Sequence, residues 1–140
     1  MAKVIVYTDG GSRGNPGPSA LGVYFPTLKK EYSEYVGETT NNVAEYQAIV
    51  FALKKLKHLV GGDEAEKTEV EVRSDSELLM NQLNGKFKLK EEHLFPFFIA
   101  IWNLKQDFKH VSFTHVRREQ NRDADRLVNR ALNSEQGKLL

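Results

Sequence analysis

KVIVYTDGG, residues 3–11, decides the fold. Its first six residues form a largely apolar run rich in β-branched side chains without clean alternation, the pattern of a strand buried on both faces. Asp9 and two glycines follow at once, so the strand is expected to end on an acid and turn through GGSRGNPGPS at 10–19. Two more strand-like runs come next, ALGVYFP at 20–26 and EYSEYVG at 31–37, with Pro26 and a lysine pair between them. Three strands in an antiparallel meander are the natural arrangement.

From Val43 the period changes. Glu45, Ile49, Ala52, Leu56 and Leu59 recur at steps of three and four, which predicts a helix over 43–60 closed by Gly61 and Gly62. TEVEVRSD at 68–75 reads as a fourth strand, and SELLMNQLN at 76–84 as a short helix ended by Gly85. Residues 91–108 carry Phe97, Ile101, Leu104 and Phe108 on one helical face, with Pro96 near the start and Trp102 expected in the core. VSFTHV at 111–116 is a fifth strand, on which His115 is expected to pack, and a last helix is expected over 123–132. The order βββαβααβα implies an α/β fold: a five-stranded mixed sheet, three strands antiparallel and then two parallel, with helices on both faces. Residues 1–133 are expected to form a single domain and 134–140, SEQGKLL, a flexible tail.

Composition narrows the options. A chain of 140 residues that is 40% hydrophobic and 28% charged suits one core. It has no cysteine, which excludes disulfides and thiolate zinc sites. The apolar run near the N-terminus is too short for a secretory or membrane segment, so the expectation is a cytoplasmic protein without membrane contact. Twenty basic and 19 acidic residues leave a net charge of +1, so attraction to nucleic acid has to be local. Basic residues cluster at Lys54, Lys55 and Lys57, at Lys86, Lys88 and Lys90, and at Arg117, Arg118, Arg122, Arg126 and Arg130. Taken alone, each cluster also fits a solvated helix face.

The topology gathers acids. If the first strand rises to Asp9, the second descends and the third rises, placing Glu45 at the same edge. With helices returning the chain each time, strand four delivers Asp75 there and the last helix starts there with Asp125. That edge is where open α/β sheets carry their sites. Singly, each acid has a plainer role: Asp9 a turn residue, Asp75 a helix cap, Asp123 or Asp125 a first-turn acid, and Glu45 the partner of Asn42 in a capping box. Jointly these roles are less adequate. Two carboxylates about 4 Å apart repel by roughly 4 kcal/mol at an effective dielectric near 20, so four together require cations. Oxygen-only donors select a hard ion, Mg²⁺ or Mn²⁺, and a bridged ion pair suits phosphodiester hydrolysis.

Four segments then carry a resemblance: YTDGGSRGNPGP at 7–18, TTNNVAEYQAI at 39–49, VRSDSELLMNQLNG at 72–85 and REQNRDADRLVNRA at 118–131. In that order they resemble type 1 ribonuclease H. The resemblance implies a monomeric endonuclease, with no obligate protein partner, that cuts the RNA strand of RNA/DNA hybrids with two Mg²⁺ ions, Mn²⁺ substituting, and leaves 5′-phosphate and 3′-hydroxyl ends. It implies that Asp9 bridges both ions, that Glu45 and Asp75 complete one and that Asp125 completes the other. It also implies RNA contacts from Gly10, Gly11, Ser12, Asn15, Asn41 and Asn42, and a DNA phosphate held by Thr40 with help from Arg13. The 2′-hydroxyl distinguishes RNA from DNA, and amides both donate to it and accept from it.

Two features depart from the family. The loop before the last acid is the short VRREQN, without the histidine many members carry there, which leaves Arg118 or Glu119 as candidates for an auxiliary or product-release role. The basic handle of bacterial relatives is missing, and KFKLK runs straight into the next helix. Lys86, Phe87 and Lys88 could offer a small basic and aromatic contact to the DNA strand, or Phe87 and Leu89 could tuck onto the core. Two other functions remain open at this point: a junction resolvase or strand-transfer enzyme of the same fold, and a catalytically silent hybrid-binding module.

Overall fold

The computed structural model describes residues 3–138. Strands β1 (Lys3–Ser12), β2 (Gly17–Phe25) and β3 (Lys30–Thr39) form the meander, followed by helix α1 (Asn41–Val60) and a single-turn helix α2 (Gly62–Ala65). Next come β4 (Glu69–Ser74), α3 (Glu77–Leu83), a 3₁₀ turn at 92–94, α4 (Phe95–Lys105), β5 (His110–His115) and α5 (Arg122–Lys138). The sheet order is β3-β2-β1-β4-β5, with β1 antiparallel to β2 and parallel to β4. The mixed α/β sheet is the expected one. No helix among the described residues is long and apolar enough to cross a membrane.

β1 explains how the layers assemble. It runs on through Asp9 to Ser12, past the expected turn, because Gly10, Gly11 and Ser12 still pair with Leu21, Ala20 and Ser19. Side chains alternate across a strand, and the glycines show which helix covers each face. A Cβ on Gly10 would stand 2.3 Å from the backbone of Ala44 in α1, whereas one on Gly11 would meet Val128 of α5 at 3.2 Å. Val4, Val6 and Thr8 share the face of Gly10 and are fully covered. Ile5 and Tyr7, on the other face, are only half-buried, so β1 is not enclosed on both sides along its whole length.

Three further expectations change. Trp102 is 57% exposed and stands with Phe95 and Ile99 on the outer side of α4, while Ile101 points into the core. His115 is also exposed, at the end of β5. The last helix continues to Lys138, so residues 134–138 are helical, and residues 139 and 140 of the expected tail lie outside the described residues.

Candidate functional site

β1 and β4 pair in parallel as far as Tyr7 and Arg73, and Asp9 and Asp75 each lie two residues beyond that last pair. The chain leaves β1 toward β2 and leaves β4 into α3, so a crevice opens where the order of strands reverses. α1 begins above this crevice. Its N-cap is Thr40, whose hydroxyl accepts from the Val43 amide at 3.3 Å, so the cap is not the Asn42–Glu45 box. Glu45 follows one turn later, directly over Gly10. α5 supplies Asp125 on its first turn.

One pocket is lined by Asp9, Glu45, Asp75 and Asp125, together with Gly10, Gly11, Ser12, Arg13, Asn41, Ser76, Arg118 and Asn129. The four acids from four distant stretches therefore meet, as the topology requires. Burial, and then the charges of Asp75, Asp125 and Glu45 in that order, push the Asp9 carboxyl up to about 8, against a lowering bond from the Gly10 backbone. Burial pushes Glu45 up to about 7, with Asp75 adding to the effect and a hydrogen bond from the Ser76 hydroxyl opposing it. Both shifts have the same origin: negative charge is crowded where water is partly excluded. Among the described residues, no group of three or more His, Asp or Glu side chains is drawn close enough to hold an ion as it stands. The fit to a divalent cation is one of charge and donor chemistry, since every acid offers oxygen and the crowding penalises ionisation until positive charge arrives.

The glycine-rich segment is held from within. The Ser12 amide donates to Asn41 Oδ1 at 2.8 Å and the Asn41 amide donates to Asn15 Oδ1 at 3.0 Å. The Ser12 hydroxyl donates to the carbonyls of Gly14 and Thr39. Each amide oxygen already accepts one bond from the protein, which fixes the side chain and leaves Nδ2 free to donate to a ligand. Asn42 is exposed at the start of α1. Against the expectation that Arg13 assists Thr40 at a phosphate, its guanidinium is committed to side chains of α5.

Of the two loop candidates, Arg118 lines the acid pocket and Glu119 does not. Lys86, Phe87 and Lys88 line a separate concavity with Leu78, Gln82, Lys90 and Glu91, away from the acids. Phe87 is 52% exposed, whereas Leu89 packs against the core, so the connector divides between the two expected roles.

Sequence reasoning missed Asn121, the buried residue just before α5. Its Nδ2 donates to the Thr8 carbonyl at 3.0 Å and its own carbonyl accepts from the Asp125 amide at 3.1 Å, so one residue ties the strand carrying Asp9 to the helix carrying Asp125. An Asn at a helix start four residues before an acid was the available signal. Asn121→Ala leaves the Thr8 carbonyl buried without its partner and is expected to lower unfolding stability by about 1–2 kcal/mol. Urea unfolding measures it, and an unchanged midpoint would show that the tie contributes nothing. Ser76 was missed too, as it caps α3 by accepting from the Leu79 amide at 3.2 Å while bonding Glu45.

Residues 30–131 match the family model described as reverse transcriptase-like. Among solved structures, LC11-RNase H1 in complex with an RNA/DNA hybrid is 45% identical, covers 95% of this chain and 99% of its own, and superposes with a TM-score of 0.88. The ribonuclease HI of Halobacterium salinarum is 37% identical over 134 residues, 93% of this chain and 64% of that protein. A bifunctional protein of Mycobacterium tuberculosis is 35% identical over 140 residues, 94% of this chain and 36% of that protein. The chain thus spans little more than a third of the mycobacterial relative.

Proposed function

We propose that this chain, which belongs to the ribonuclease HI family, is an endonuclease that hydrolyses the RNA strand of RNA/DNA hybrids. The observation that carries the reading is the convergence of Asp9, Glu45, Asp75 and Asp125 on one pocket beside the Ser12–Asn41–Asn15 network. Asp9, at the centre of the charge, would bridge two Mg²⁺ ions, or Mn²⁺ in their place, with Glu45 and Asp75 completing one and Asp125 the other. Ions held there would supply an activated water and charge stabilisation at the leaving oxygen, giving 5′-phosphate and 3′-hydroxyl ends.

The chain's own residues do the rest. Ser76 orients the Glu45 carboxylate, and Asn121 sets the spacing between β1 and α5. Gly10 and Gly11, whose missing side chains let α1 and α5 close onto β1, would meet the RNA through their backbone at the pocket wall. Nδ2 of Asn15 and Asn41 would donate to 2′-hydroxyls or base edges on the RNA, with Asn42 beside them. Thr40 stands at the positive end of α1, a suitable place for a phosphate of the DNA strand. Arg118 brings a cation to the pocket rim and is assigned the auxiliary or product-release role. Lys86, Phe87 and Lys88 are assigned an outlying contact with the DNA strand, which would give binding a dependence on salt. On this reading the protein acts as a cytoplasmic monomer.

The test is a cleavage panel in Mg²⁺ with labelled RNA/DNA hybrid, duplex RNA and duplex DNA, each with and without chelator. The expected result is cutting of the RNA in the hybrid, abolished by chelator, with duplex DNA intact. Cutting of duplex DNA or a four-way junction with the hybrid untouched would favour a resolvase-type enzyme. Binding without cutting would leave a silent hybrid-binding module.

A further inference from the structure

The Arg13 guanidinium lies in the exposed turn after β1, yet both of its terminal nitrogens donate to side chains of α5. It donates to Asn133 Oδ1 at 2.7 Å, to Gln136 Oε1 at 2.9 Å and to Asn129 Oδ1 at 3.4 Å. The three acceptors lie at helical steps of four and three, so one face of α5 receives both terminal nitrogens. All three are neutral amide oxygens, and a planar guanidinium suits several acceptors at once where an ammonium does not.

Asn129 carries the connection onward. Its Nδ2 donates to the Asp125 carbonyl at 3.1 Å and reaches Oδ2 of the Asp125 carboxylate at 3.5 Å. An amide has one accepting and one donating end, so a cation on Oδ1 turns Nδ2 toward the acid. The contacts form one line from the turn, through α5, to the pocket.

We propose that Arg13 is a positioning residue: acting through Asn129, it fixes the Asp125 carboxylate relative to Asp9, and through Asn133 and Gln136 it makes the last turns of α5 part of the site's support. The inference rests on the ribonuclease reading, because Asp125 matters here as an ion-holding acid. A direct contact between Arg13 and a substrate phosphate is the competing role, and the two roles differ in what they change. A positioning residue alters the response to the ion and not to salt, since it neutralises no phosphate. A phosphate contact alters the slope of log affinity against log salt by about one.

The experiment uses the full chain as wild type, Arg13→Ala, Arg13→Lys, Asn133→Ala and Gln136→Ala. Mg²⁺ is titrated by calorimetry without nucleic acid, the Mg²⁺ needed for half-maximal hybrid cleavage is measured, and hybrid binding is followed across a salt series. Arg13→Ala is expected to raise both Mg²⁺ concentrations by about three- to tenfold with the salt slope unchanged. Arg13→Lys restores only part, because one ammonium cannot span three acceptors, and the two amide variants give smaller shifts in the same direction. An unaltered Mg²⁺ response in Arg13→Ala, or a salt slope reduced by about one, overturns the proposal. Should Arg13→Ala unfold, Asn133→Ala and Gln136→Ala carry the test, and wild-type Mg²⁺ binding in both would equally overturn it. If the wild type leaves the hybrid uncut in Mg²⁺, the ribonuclease reading fails and takes this inference with it. If the wild type cuts and Arg13→Ala matches it, this inference alone fails.

Discussion

Asp9→Asn is expected to abolish turnover by about a thousandfold or more while giving a metal-free protein that is more stable than the wild type. Asparagine keeps the size of the side chain, so the strand and its pairing with Gly22 are undisturbed. What it removes is the charge at the centre of the acid cluster. Asp9 titrates near 8 in the folded protein, against an ordinary value of 3.8. Between those values the folded state binds a proton that the unfolded state has lost, so wild-type stability falls as pH rises from about 4 to about 8. That penalty is absent below pH 4, grows through the interval and is complete above pH 8. After allowance for solvent screening at a half-buried site, it is on the order of 2 kcal/mol. Thermal unfolding of both proteins in chelator at pH 5 and pH 8 measures it, with the variant's advantage larger at pH 8. Added Mg²⁺ should narrow the gap by stabilising the wild type. An active Asp9→Asn protein, or one less stable than the wild type at pH 8 without metal, would show that Asp9 is not the centre of the site.

Gly10→Ala is expected to be severely damaging, because the added methyl meets the backbone of α1 beneath Glu45. Its Cβ would lie 2.3 Å from the Ala44 carbonyl carbon and 2.3 Å from the Glu45 nitrogen, both backbone atoms of α1 with no rotamer to yield. Either β1 or the start of α1 has to move, at a cost of about 3–5 kcal/mol. Glu45 moves with α1, so turnover falls even where the fold survives. Gly62→Ala is the matched control, because a Cβ there meets nothing within 4 Å at the start of a helical turn, and no loss of stability is expected. Denaturant midpoints of the two variants settle the point, and equal midpoints would mean that α1 does not sit on β1 as described.

How much of this was legible in the sequence follows from what each signal measures. The strand directions and the meeting of the four acids were legible because they depend on chain direction: each helix returns the chain, and each rising strand ends at the same edge. The resemblance to ribonuclease H reinforced the same residues. The length of β1 was not legible, since Gly10 and Gly11 signal a turn locally while the partners that keep them extended, Leu21 and Ala20, lie on the next strand. Trp102 was misplaced for a related reason. α4 is apolar on nearly every side, so although the stripe of Phe97, Ile101 and Leu104 marks its inner face, little polar contrast shows that Trp102 lies outside it. The end of α5 was misjudged because Ser134 to Lys138 carry no hydrophobic period, and the bond that Gln136 receives comes from Arg13, more than a hundred residues away. Asn121 and Asn129 follow the same rule: polar residues whose roles lie in long-range hydrogen bonds leave no periodic trace.

The central claim is that the crowded carboxylates wait on positive charge, and titration of Mg²⁺ into the protein without nucleic acid, in two buffers of different ionisation enthalpy near pH 7, tests it most directly. With Asp9 near 8 and Glu45 near 7, ion binding has to displace protons, so the observed heat should differ between the buffers and affinity should weaken as pH falls. Binding that releases no protons, or no binding at all in the millimolar range, would contradict the account.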